Sequence, residues 1–248
     1  GAQPWNDAGN YHEANRDKLG ISLDSTAYGS SGPWQNYIGY GSSLQAVTGL
    51  TYLTGYEDGG PVQGGILFND TLGALNATYA ILLALAHRER TGQGQWIDLS
   101  QYEAGVAHLG EAFMEYEMNG VVPTRRGNSH PDHAPYGVYR CAGDDAWVAI
   151  TVTSDAEWAN FVRAVSESWA SNDDWKAAGG RLAQRKGLDE AIGRWTGRRD
   201  KHEVMHLLQA GGVACGAVYN TREVATDPHH ADRGFFSISQ HPAPVGPR

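Results

Sequence analysis

Between Asp70 and Gly92 the chain carries one unbroken apolar repeat of helical spacing, and no other stretch constrains the fold as strongly. Leu72, Leu75, Tyr79, Leu82, Leu83 and Ala86 recur at that spacing and predict a single long helix with an apolar face. Asp70 stands where an N-cap belongs. His87, Arg88 and Arg90 fill the last turn, where cations suit the helix dipole, and Gly92-Gln93-Gly94 ends it. Gln95–Leu99 then alternates as a strand does. Ser100 caps a second helix, Gln101 to about Met118, with Glu103 placed for a capping box.

The earlier part reads the same way. Ile21–Asp24 is a short strand, Ala27–Pro33 a glycine-serine loop, Gly41–Tyr52 a helix, and Thr54–Gly65 a turn-rich stretch. Helix and strand alternate, so this part is expected to be α/β with a Rossmann-like large domain. From Arg125 the texture changes. Tyr136–Tyr139 and Trp147–Val152 look like paired strands. Helices are expected at Asp155–Val165, Leu188–Trp195 and His202–Ala210, a strand at Val213–Val218, and a short helix from Thr221. The expected organisation is a large domain from 1–124 and 206–248, with a smaller α+β domain at 125–205.

A net charge of −9 argues against a duplex nucleic-acid binder, which needs a basic face. The longest apolar run, near Ala80–Ala86, is too short to span a membrane. Gly1–Asn15 is polar and irregular and reads as no signal peptide. Cys141 and Cys215 are the two cysteines, too few for a disulfide framework, which fits a reducing cytoplasm. His130 and His133 resemble a metal pair, yet no carboxylate or cysteine spacing completes a site, and no metal is expected.

Five stretches, in this order, resemble the family III CoA-transferases, the CaiB/BaiF group that includes carnitine- and formyl-CoA transferases. They are Ala27–Pro33, Arg88–Ser100, Gly127–Pro131 with Ala134–Gly137, Gly212–Val218, and Asp227–His229 with Arg233–Phe236. The resemblance covers nearly the whole chain. It also implies that this sequence is part of a longer protein. The family opens with a further strand and loop, carries a long segment between the positions of Asp24 and Ala27, and continues at its C-terminal end.

The resemblance implies that Asp70, the aspartate that starts the helix leading into Arg-Thr-Gly-Gln-Gly-Gln, is the nucleophile. A carboxylate attacks a thioester carbonyl to give a mixed anhydride and CoA thiolate, and the positive end of a helix favours the ionised form it needs. The reaction then runs through an aspartyl-CoA thioester, with a CoA thioester as substrate and no tightly bound cofactor. By the same resemblance, backbone N–H groups at Gly64 and Gly65 are expected to hold the oxyanion, with plain turn glycines as the alternative. Gly127 and Asn128 are expected to cover the site, and Leu23 and Asp24 to lie at the CoA. Tyr40 is expected to line the acyl pocket, with packing as its alternative. Arg125 and Arg126 are candidates for the CoA phosphates, whereas Arg88 and Arg90 read as solvated surface.

The expected function is therefore an acyl-CoA:carboxylate CoA-transferase. An α-methylacyl-CoA racemase is one alternative, but that branch has a His where this chain has Tyr40, and a phenol is a poor partner for α-proton exchange. A non-catalytic subunit of a transferase complex is another, opposed by the retention of Asp70. The expected partners are an acyl-CoA, a carboxylic acid acceptor and a second copy of the chain in an interlocked homodimer.

Overall fold

The computed structural model describes residues 21–237. The expectations for Gly1–Asn15 and for residues 238–248 lie outside them. The chain divides into two compact units between Gly127 and Asn128.

In the first unit, strand β1 (Ile21–Thr26) pairs in parallel with β2 (Gln95–Ser100), Ile21 opposite Gln95 and Thr26 opposite Ser100. Between them come α1 (Gly41–Val47), α2 (Leu50–Leu53) and the long α3 (Phe68–Thr91). Helices α4 (Gln101–Ala107) and α5 (Gly110–Asn119) follow β2. This is the expected α/β order, with corrections at the helix ends. The helix expected over 41–52 is cut at Gly49, whose positive φ of 94° no long helix accepts. The helix expected over 101–118 breaks at His108–Leu109. Asp70 is not the N-cap of α3 but its third residue, after Phe68 and Asn69.

The packing of α3 differs more deeply from its pattern. The helix lies against β1, β2, α1 and α4. The stripe it turns inward is made of small residues: Asn69, Gly73 and Ala84 are buried, with Ala77 and Ala80 partly buried between them. Gly73 sits so close to the Gln101 side chain that a Cβ there would come within 2.9 Å of it. The larger apolar residues Leu75, Tyr79, Leu82 and Leu83 are all more than half exposed.

The second unit has its own core. Antiparallel strands β3 (Tyr136–Arg140), β4 (Trp147–Thr151) and β5 (Ala214–Ala217) form a sheet with β4 in the middle. Helices α6 (Asp155–Val165), α7 (Ala178–Ala183), α8 (Arg185–Thr196) and α9 (Lys201–Ala210) accompany it, with α10 (Thr221–Thr226) and α11 (Pro228–Asp232) after the last strand. Val148 and Ile150 of β4 are buried together with Trp158, Phe161 and Val165 of α6, Leu188, Ile192 and Trp195 of α8, and Val204 and Leu208 of α9. Those helical spacings of three, four and seven residues give each helix one apolar stripe. The side chains of Ser154 and Asp200 cap α6 and α9 by accepting backbone N–H bonds.

The division between the two compact units falls after Gly127, beside the limit expected after Thr124, and the segment from 206 contributes to the sheet of the second unit. Its strand β5 pairs with β4, and α9 packs on β5 and α6. Cys141 and Cys215 are unpaired and buried in this core. Burial pushes their thiols up to about 11 and about 12, so both stay protonated and poorly nucleophilic.

Helix α10 is pinned by one charged contact. The Lys201 ammonium lies 2.6 Å from Glu223 and also donates to the Val218 carbonyl at 2.8 Å. The Lys201 ammonium first, and the Asn220 backbone N–H after it, hold the Glu223 carboxyl below the usual carboxylate range. A carboxyl depressed by folding contributes stability above its unfolded value, about 4.3, and that contribution is lost as pH falls through the lower folded value. The acid limb of a plot of Tm against pH is therefore expected to be steeper for the wild type than for Glu223→Gln, as thermal melts between about pH 3 and pH 7 would measure.

Candidate active site

Strands β1 and β2 run in the same direction, so their carboxyl ends share one edge of the sheet. Open α/β sheets bind ligands outside that edge. Three contacts gather the chain there. The Ser30 N–H and hydroxyl donate to Asp98 of β2 at 3.1 and 2.5 Å, and the Tyr102 N–H donates to the Ala27 carbonyl at 2.9 Å. The Asn69 amide donates to the Gln101 carbonyl at 3.2 Å, which sets the start of α3 at the same edge.

Asp70 follows Asn69. Asn69 is fully buried, whereas Asp70 is exposed. The Asn69 side chain anchors the helix start, and the Asp70 side chain reaches solvent. The Asp70 carboxylate lies in the first turn of α3, at the positive end of the dipole. It rests against Gly41, the first residue of α1, so closely that a Cβ on Gly41 would stand 2.6 Å from Oδ2. Tyr40, the residue before Gly41, is three-quarters exposed. Its backbone N–H donates to the Ser43 hydroxyl at 2.9 Å, which in turn donates to the Tyr40 carbonyl at 3.0 Å. Tyr40 is thus joined through the backbone to the residue on which the Asp70 carboxylate rests.

The other expected positions sort less tightly. Gly64 packs under the Phe68 ring, where a Cβ would come within 3.2 Å of it, and Gly65 faces open space. Both lie on the segment that leads into α3. Leu23 and Asp24 lie in β1 opposite Ile97 and Asp98, so Asp24 stands level with the carboxylate that receives Ser30. Gly127 belongs to the first unit, its N–H donating to the Gly55 carbonyl at 2.8 Å, whereas Asn128 opens the second. Arg125 gives its guanidinium to the Tyr52 carbonyl at 3.1 Å and stacks over the Tyr52 ring, so part of its donor capacity is used within the unit. The His130 and His133 rings stack 4.5 Å apart, and the His130 Nδ1 accepts the Asp132 N–H.

Two groups of site residues escaped the sequence reading. Gln45 is buried, and its amide donates to the Ile66 carbonyl at 2.6 Å, tying α1 to the segment before Asp70. A lone Gln inside Leu44-Gln45-Ala46-Val47 was the available signal. The second group is aromatic. Tyr28, Trp34 and Tyr102 have ring centroids 5.7–5.8 Å apart beside a cavity of about 270 Å³, with Glu103 at its wall. Tyr28 and Trp34 follow β1 and Tyr102 follows β2, and they meet because both strands end at one edge.

Comparison with known proteins gives a consistent picture. The sequence model of CoA-transferase family III matches residues 11–247. A probable CoA-transferase of Mycobacterium tuberculosis is 33% identical over 90% of this chain, a stretch that is 29% of that protein. A succinyl-CoA:mesaconate CoA-transferase of Haloarcula hispanica is 34% identical over 80% of this chain and 49% of its own length. The crystal structure of a CaiB/BaiF family protein from Brucella suis superposes with a TM-score of 0.79 at 28% identity, covering 92% of this chain and 59% of that one. The chain thus spans about half the length, or less, of these curated relatives.

Proposed function

Because the chain belongs to CoA-transferase family III, we propose that it transfers CoA between an acyl-CoA and a carboxylic acid, with Asp70 as the nucleophile. The carrying observation is the exposed Asp70 carboxylate, set at the start of α3 on the carboxyl edge of the parallel strands and seated on Gly41 beside Tyr40.

An Asp70 oxygen attacks the thioester carbonyl carbon. The new C–O bond forms as the C–S bond breaks, giving an acyl-aspartyl anhydride and CoA thiolate. The thiolate attacks the Asp70 carbonyl, releasing the donor acid and leaving an aspartyl-CoA thioester. The acceptor carboxylate attacks that thioester and expels the thiolate. The thiolate then takes the acceptor's acyl group from the second anhydride and restores Asp70. Each step only exchanges oxygen and sulfur at a carbonyl, so charge is conserved throughout. Backbone N–H groups at Gly64–Gly65 are the proposed oxyanion donors, and Tyr40 the proposed wall of the acyl pocket. The phenol of Tyr40 argues for transfer over α-proton exchange. The name of the Haloarcula relative supports a short dicarboxylate as donor or acceptor. A screen of CoA donors and carboxylate acceptors by mass spectrometry, with hydroxylamine trapping of the acyl-enzyme, tests the reading. It fails if no donor produces either a new thioester or a hydroxamate at Asp70.

The active form is proposed to be a homodimer. Its support is the face of α3 that the first unit leaves uncovered, Leu75, Tyr79, Leu82 and Leu83. Contiguous apolar surface of this kind marks association sites. Light scattering after size-exclusion chromatography is expected to give twice the chain mass, and Leu75→Glu combined with Leu82→Glu to shift it towards monomer.

A further inference from the structure

The sharpest contact at Asp70 is with a residue that has no side chain. Gly41 is buried, and a Cβ there would lie 2.6 Å from Asp70 Oδ2, 2.9 Å from Asp70 Cγ and 2.9 Å from Leu67 Cβ. Carbon and oxygen atoms come to rest roughly an ångström farther apart than the closest of these. The carboxylate therefore occupies space that only glycine leaves open. The helix carrying Gly41 is also held in place. Gln45 donates to the Ile66 carbonyl at 2.6 Å, the Thr48 hydroxyl donates to the Gln45 carbonyl at 3.0 Å, and both side chains are buried.

We propose that Gly41 is a positioning residue for the nucleophile: its bare Cα is the seat on which the Asp70 carboxylate comes to rest, and the Gln45–Ile66 tether keeps that seat rigid. The kinetic part rests on the reading of Asp70 as nucleophile; the seat itself does not. A methyl group on Gly41 displaces the carboxylate by about 1 Å, and misplacement on that scale costs up to about a hundredfold in rate.

The test separates the seat from the fold. Leu67 is the N-cap of α3, a position glycine tolerates, so Leu67→Gly removes the second obstacle to a Cβ at 41. Gly41→Ala is made in that background and compared with Leu67→Gly alone. Gly110→Ala, also at the first residue of a helix but with nothing within 4 Å of the added Cβ, is the matched control. With CD spectrum and Tm unchanged, kcat is expected to fall about tenfold to a hundredfold. KM for the acyl-CoA stays within about twofold, because the binding surface is untouched. Independently of activity, labelling of Asp70 by a water-soluble carbodiimide and an amine, read by peptide mass spectrometry, is expected to accelerate severalfold in Gly41→Ala and not in Gly110→Ala. An unchanged labelling rate overturns the proposal, and so does an undiminished kcat in an active enzyme. A wild type that neither transfers CoA nor forms an adduct at Asp70 overturns the reaction proposed above and leaves the labelling comparison to decide the seat.

Discussion

Asp70→Asn is expected to abolish CoA transfer, with a loss of roughly ten-thousandfold or more in kcat, while the fold survives. The amide has the size and shape of the carboxylate but is neutral and non-nucleophilic, so no anhydride forms and the thioester stays on CoA. Asp70 is exposed, and the burial that anchors the start of α3 belongs to Asn69. A substitution at such a surface position shifts stability by about 0.5 kcal/mol or less. The check pairs a transfer assay with intact-mass detection of the acyl-enzyme and a thermal melt. Asp70→Ala run beside it guards against slow deamidation of Asn back to Asp. Transfer at the wild-type rate in both variants refutes the nucleophile.

Arg181→Ala is the second large effect, and it falls on stability. Arg181 is 1% exposed, yet each of its three side-chain nitrogens donates a hydrogen bond. Its Nε donates to the Ala134 carbonyl at 2.8 Å, Nη1 to the carbonyls of Trp175 and Lys176 at 3.0 and 3.1 Å, and Nη2 to Asp155 at 2.9 Å, with the Trp158 ring against the guanidinium. Removing it strands buried carbonyls inside the second unit and opens a void among tryptophans. Losing one partner of such a buried arrangement costs about 3–5 kcal/mol. The lower end is expected, because Asp155 is largely exposed and rehydrates. Lys cannot reproduce the planar fork, so Arg181→Lys is expected to recover only part of the loss. Urea titration followed by tryptophan fluorescence measures both. A change below about 1 kcal/mol for Arg181→Ala would show that the network is replaceable by water.

The sequence disclosed elements well where a local signal exists. Asp155–Val165 has its Ser154 cap, its Trp158/Phe161/Val165 stripe and a clean end, and the helix falls where the pattern put it. The Gln95–Leu99 alternation likewise became β2. What stayed hidden depends on contacts between distant positions. The leucines of α3 form its conspicuous stripe, yet the buried side is that of Gly73 and Ala84, and the absence of a side chain at Gly73 lets Gln101 of α4 approach closely. The pairing of β5 with β4 joins residues far apart in sequence, which no window of sequence shows. At the site, the roles proposed for Asp70 and Tyr40 rest on resemblance. The approach of the Asp70 carboxylate to Gly41, and the tethers made by Gln45 and Asn69, depend on backbone proximity, which leaves no mark in periodicity.

The two units differ in what keeps them in order, and the difference has a thermodynamic consequence. Among the described residues, the hydrophobic side chains that the first unit hides almost completely are Leu44, Ala84 and Ala104, against a score in the second. The proposed nucleophile is thus mounted on the part of the chain with the thinnest interior. Under the proposed pairing, whatever shields Leu75 and Tyr79 from water also supplies the stiffness with which the reactive oxygen is aimed. Mass action then governs catalysis as well as assembly, and turnover per chain becomes a quantity that depends on how concentrated the protein is.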